Sequence, residues 1–170
     1  MSLATILHGT PIWVWVLLVV LLSRGIKALK SGTTPLAKLA VVPIIFAVWG
    51  IVHLAADPST GWPTPLAWVA GALAGIVGGV VLARRTRFIV DPVANTVMLP
   101  GSMVPLVLIV VTFATKFWLG VELATATAST PVLTYLVIEA AVSGIVAGIF
   151  GGRFFTYWGA LARLRGSLPA

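Results

Sequence analysis

At 170 residues, with 59% hydrophobic and 9% charged side chains, the chain cannot clothe a water-facing surface, since soluble domains carry about 25% charge. It holds no cysteine, which excludes disulfides and thiolate metal sites. The net charge of +7 does not point to nucleic acid, because the basic residues gather at the ends of apolar runs and not on an aromatic-rich wet face.

Five apolar runs follow in chain order, at about 11–29, 36–55, 65–83, 103–123 and 131–150. Each is near the roughly 20 residues that a helix needs to cross the hydrocarbon. None alternates strictly, so helices are expected in place of barrel strands. The first run has no basic residue before it and no small-residue cleavage site after it, and reads as a retained span. Thr10-Pro11, Thr34-Pro35, Thr64-Pro65 and Thr130-Pro131 precede four runs, which predicts threonine caps followed by proline in the first turn. The fourth run opens with Ser102 as candidate cap and Pro105 in its first turn. Pro43 lies deeper in the second run and predicts a kink.

Lysine and arginine set the expected orientation. Arg24, Lys27, Lys30 and Lys38 follow or open on span one's far side, Arg84, Arg85 and Arg87 follow span three, and Arg153, Arg163 and Arg165 follow span five. The other links carry Asp57 and Glu122 and no basic residue. The positive-inside rule then predicts five spans with the N-terminus periplasmic and the C-terminus cytoplasmic. Trp13, Trp15, Trp62 and Trp68 fall toward the outer interface and Trp158 toward the inner one. The link at 84–102 holds two β-prone runs around Asp91, Pro92 and Asn95, which predicts a small cytoplasmic β-hairpin lying against the membrane, with Asp91 as its turn former. Residues 151–170 read as a C-terminal tail. The fold class is thus all-α, one integral membrane domain over 1–170.

Two features bear on function. Gly71, Gly75 and Gly79, and Gly144, Gly148 and Gly152, recur every fourth residue and give each helix a flat stripe. The stripes suit either a dimerisation face or packing of span three on span five. "GIVGGVV" at Gly75–Val81 also resembles "GIVAGIF" at Gly144–Phe150, a weak parallel repeat. The second feature is Lys116, about 20 Å along its helix from Met103, and Glu139, about 12 Å along its helix from Pro131. Both fall at one depth on antiparallel neighbours, so the two are expected to pair inside the bundle, a lone charge at the bilayer centre costing about 3 kcal/mol. Thr112, Tyr135 and Ser143 share the faces of this pair, and His53 lies at the outer end of span two. This polar seam reads as a structural ion pair that sets helix register, as a proton, ion or solute site, or as a lysine that snorkels to the interface. His8 and His53 both belong to the outer side and admit a haem or metal reading without a supporting ligand set.

Motifs of hydrolases, P-loops and zincins are absent, and with four carboxylates in all no enzyme is expected, nor any cofactor. "LHGTPIWVWVLLVVLL", "VDPVANTVMLPGS" and "PLVLIVVTFATKFWLGV" together resemble an uncharacterised family of small bacterial inner-membrane proteins, known mainly as a domain of unknown function. The segment from Leu99 to Lys116 carries the most specific part of the likeness. The resemblance implies a bacterial multi-span protein and no activity. The expected function is therefore non-enzymatic: an accessory or complex-forming protein whose partners are the lipid bilayer and either a second copy or a larger membrane complex. A small transporter or channel subunit using Lys116 and Glu139 is the alternative, and a haem or redox role the further one.

Overall fold

A computed structural model describes residues 12–56, 61–124 and 131–166. Among these residues, five helices and three short strands follow in the order α1 (Ile12–Lys27), β1 (Gly32–Pro35), α2 (Leu36–Ala56), α3 (Pro63–Arg85), β2 (Ile89–Asp91), β3 (Thr96–Leu99), α4 (Val104–Ala124) and α5 (Val132–Gly166). Among the described residues, three helical stretches are long and apolar enough to cross a membrane: Pro63–Arg85, Val104–Glu122 and Val132–Gly166. Apolar side chains such as Leu66, Leu73, Val77 and Val107 point outward, which suits a lipid solvent.

The helices α3 and α5 run parallel in close contact. A methyl added at Gly71, Gly75 or Gly79 would strike the carbonyls of Ala141, Ile145 and Ile149; one at Gly144, Gly148 or Gly152 would strike those of Trp68, Ala72 and Ile76. Only the missing side chains let the backbones approach so far. Each glycine offers a Cα–H to a facing carbonyl, a weak bond that recurs at such crossings. Helix α2 runs opposite to α3: Leu36 shares a core with Ala83 at one end, and Gly50 presses on the Trp68 indole toward the other. Helix α1 packs on α4, with Gly25 against Leu106 and the rings of Trp15 and Phe117 6.4 Å apart. Pro43 lies inside α2, which continues through it.

One end of the bundle is closed by a three-stranded antiparallel sheet in the order β1-β3-β2, with Thr33 opposite Met98 and Val90 opposite Val97. The expected hairpin is therefore two strands of a sheet whose third comes from the link after α1. Thr34 and Pro35, expected as a helix cap and first turn, are extended instead. A residue before proline is pushed toward the β region, and two adjacent β-branched threonines favour it further. Thr64 is likewise no cap: α3 starts at Pro63 after Trp62, and Thr64 is buried in the first turn without a hydrogen bond. Thr10 and Thr130 lie outside the described residues. Ser102 does cap α4, its Oγ accepting from Val104 N at 3.3 Å.

The tail expected at 151–170 is corrected. Helix α5 runs on to Gly166, 35 residues in all. Gly151 and Gly152 do not break it, because Gly152 is pressed on the Ile76 carbonyl while Tyr157 and Leu161 beyond it are buried. Those two side chains, with Leu36, Ala83 and Val97, make the core under the sheet, and Phe88 meets Tyr157 edge-on at 4.8 Å. The hairpin thus rests on the extension of α5. Asp91 Oδ1 accepts from Val93 N at 2.9 Å and Ala94 N at 3.0 Å, the turn-forming role expected of it. Arg165 ties α5 to the same turn through the Pro92 carbonyl at 3.4 Å and the Asn95 side chain. Asn95 itself sits at φ 56°. Asn95→Val should lower the unfolding midpoint by an amount equivalent to about 1–3 kcal/mol, since a β-branched residue resists the left-handed region. Asn95→Gly, measured in the same melt, should cost less.

Candidate functional site

The polar residues of α4 and α5 meet along one antiparallel interface away from the sheet. Lys116 Nζ stands 2.5 Å from Glu139 Oε1. Both lie within the stretches of α4 and α5 that are apolar enough to cross a membrane. The expectation that the pair is enclosed is corrected: the Lys116 side chain is 44% exposed and that of Glu139 20%. The pair lies at the surface of the bundle because glycines Gly144 and Gly148 turn the other side of α5 onto α3, leaving Glu139 at the edge of that contact.

Further from the sheet a second polar contact follows. Tyr135 OH donates to Glu122 Oε2 at 3.3 Å, and the Tyr135 ring meets Trp118 edge-on at 5.9 Å. The sequence pattern had grouped Tyr135 with Glu139 and left Glu122 in a link. Helix α4 extends to Ala124, so Glu122 falls in its last turn and faces α5. The periodicity of α4 carried a signal for this, since Glu122 is one turn beyond Trp118. Toward the sheet, Thr112 Oγ1 is buried without a hydrogen bond, and Ser143 is half-buried on α5. The backbone of His53 lies in α2, while its side chain, like all of His8, lies outside the description, so the histidine pair expected for a haem or metal is not placed.

The six row glycines are spent on the contact between α3 and α5 within one chain. They offer no free stripe to a second copy, and the dimerisation reading of these rows is withdrawn. The arrangement that is left for recognition is chemical: an ammonium–carboxylate dipole, partly uncovered, on two helices whose other exposed side chains include Val111, Trp118 and Ile138.

Comparison with protein families matches residues 1–168 to one described as a family of unknown function, DUF6622. No curated protein and no solved structure matches the chain.

Proposed function

We propose, because the chain belongs to the DUF6622 family and that family carries no assigned activity, that its work is association within the membrane through the α4–α5 face. The reading is of a non-enzymatic inner-membrane protein of bacteria that docks a second copy of itself over Lys116 and Glu139. One observation carries it, the 44% exposure of the Lys116 side chain at a depth where lipid cannot hydrate an ammonium. A dipole of opposite charges is self-complementary about a two-fold axis, since Lys116 of one copy then meets Glu139 of the other.

Five spans with the N-terminus outside and the C-terminus inside go with this proposal. Their support is the way two links meet: Ser102 N donates to Ala28 O at 2.8 Å, and Leu36 N to Asn95 O at 3.0 Å. These contacts bring the links after α1 and α3 to the sheet end, where Lys27, Lys30, Arg84, Arg85 and Arg87 gather, and a basic end is cytoplasmic by the positive-inside rule.

The absence of cysteine makes the test clean. Ile138→Cys, beside Glu139, should give a disulfide-linked dimer under mild oxidation in native membranes, and Leu73→Cys, exposed on α3, should not. Equal crosslinking at both positions, or monomers at both, would sink self-association, as would crosslinking of Ile138→Cys only to a different protein. A second reading, a subunit of a proton or solute pathway, is favoured by the succession of Glu122–Tyr135, Lys116–Glu139 and Thr112 over about 15 Å of α4.

A further inference from the structure

Nearer the sheet along α5, one charged side chain among the described residues is buried and incompletely bonded. Arg153 is 9% exposed. Its Nε donates to Tyr157 OH at 3.3 Å, and one terminal nitrogen, Nη1, is buried with no hydrogen-bond partner. A guanidinium removed from water is ordinarily matched by a carboxylate, because the uncompensated charge is costly. This chain has four carboxylates. Asp91 Oδ1 is engaged by its own turn, Glu139 is paired with Lys116, and Glu122 bonds Tyr135 at the far end of α4. Asp57 lies outside the described residues. Among the described residues, no carboxylate forms an ion pair with Arg153.

The surroundings suit an anion from outside the chain. Gly152, the preceding residue, faces Ile76 and Val80 of α3, so Arg153 stands about 6 Å farther into the bundle than exposed Arg84 and Arg85. Arg87 and Arg163 add exposed positive charge at this end. Tyr157 accepts from Nε and keeps its own O–H to donate. Its ring is held edge-on by Phe88, which fixes the phenol beside the guanidinium. Exposed arginines draw anions to the surface, and a buried arginine with a phenol can take one by charge-assisted hydrogen bonds.

We propose that Arg153 and Tyr157 form the inner end of a phosphate-binding site at the sheet end of the bundle. The ligand chemistry is a phosphate group, supplied either by an anionic phospholipid headgroup or by phosphate free in solution. Basic pockets between spanning helices are a known form of headgroup recognition. The site is independent of the α4–α5 face, so failure of one leaves the other standing.

The test uses the full chain in nanodiscs, with binding read by native mass spectrometry and by the shift of the unfolding midpoint. One arm compares phosphatidylcholine discs with discs containing added phosphatidylglycerol. The other adds inorganic phosphate to phosphatidylcholine discs, against chloride at equal ionic strength. The parent should respond in at least one arm, which identifies the source. Arg153→Gln should weaken that response at least about tenfold, whereas Arg84→Gln, an exposed control, should change it little. Should Arg153→Gln fail to fold, Tyr157→Phe keeps the ring contact with Phe88 and removes the hydroxyl, and it should weaken the response too. No response of the parent in either arm overturns the proposal. So does a response that Arg153→Gln, or Tyr157→Phe in its place, leaves unchanged.

Discussion

Alanine at Gly79 should destabilise the protein, while alanine one position earlier, at Gly78, should leave it as stable or more so. The two substitutions add the same methyl to the same helix. At Gly79 the methyl would meet the carbonyl of Ile149, whereas at Gly78 nothing stands within 4 Å. The obstacle at Gly79 is backbone, which cannot rotate aside as a side chain can, so α3 and α5 must separate along their length. Overpacking of this kind costs about 1–3 kcal/mol, and it forfeits the Cα–H bonds of neighbouring glycines as well. At Gly78 only the helix propensity changes, by up to about 1 kcal/mol in favour of alanine. Gly152 and Gly151 repeat the contrast on α5, since Gly152 faces Ile76 and a methyl at Gly151 meets nothing within 4 Å. Gly148→Val, aimed at the Ala72 carbonyl and at the Gly75 backbone, should be worse than any alanine. Unfolding in mixed micelles would measure all five. Equal losses at Gly78 and Gly79 would mean that the helices do not cross on these rows.

Neutralising either partner of Lys116 and Glu139 should cost more than neutralising both. Lys116→Met leaves a carboxylate, and Glu139→Gln an ammonium, at a level where water is scarce; a lone charge there costs about 3 kcal/mol. The double variant holds two neutral side chains of similar size and should recover most of the loss. The coupling read from such a cycle should therefore reach about 1–3 kcal/mol, larger than for exposed pairs in water. Additive losses would show that the two groups are solvated separately and that the 2.5 Å contact is energetically idle. The same double variant decides the pathway reading. If it retains the fold and conducts protons or solute in vesicles as the parent does, no transport depends on the seam.

Much of this architecture is legible in the residues, for physical reasons that also mark the limit. The runs that became α3, α4 and most of α5 are visible because a bilayer demands uninterrupted apolar length. The glycine rows are visible because four-residue spacing puts small residues on one face, but the pattern is the same whether the facing helix belongs to this chain or another. Lys116 and Glu139 could be matched by depth alone, while their exposure depends on which side of α5 the glycines turn toward α3. Strand β1 was hidden because its partner, Thr96–Leu99, lies far along the chain, and Thr34-Pro35 suits a cap as well as a strand. The extension of α5 was hidden by Gly151, Gly152 and Arg153, three residues that ordinarily mark a helix leaving the membrane. Nothing in the pattern revealed that the helix would instead carry Tyr157 and Leu161 onto a sheet.

The placement of β1 between the first two helices has a consequence for biogenesis. Gly32–Pro35 leaves the ribosome well before Thr96–Leu99, the strand it must join. Helices α1 and α2 are therefore made with their connecting segment unmated, and only the arrival of the loop after α3 can latch that segment in place. Closure of the sheet then acts as a late checkpoint on assembly, and a nascent chain halted short of Thr96 would present the unmated segment to the quality-control machinery.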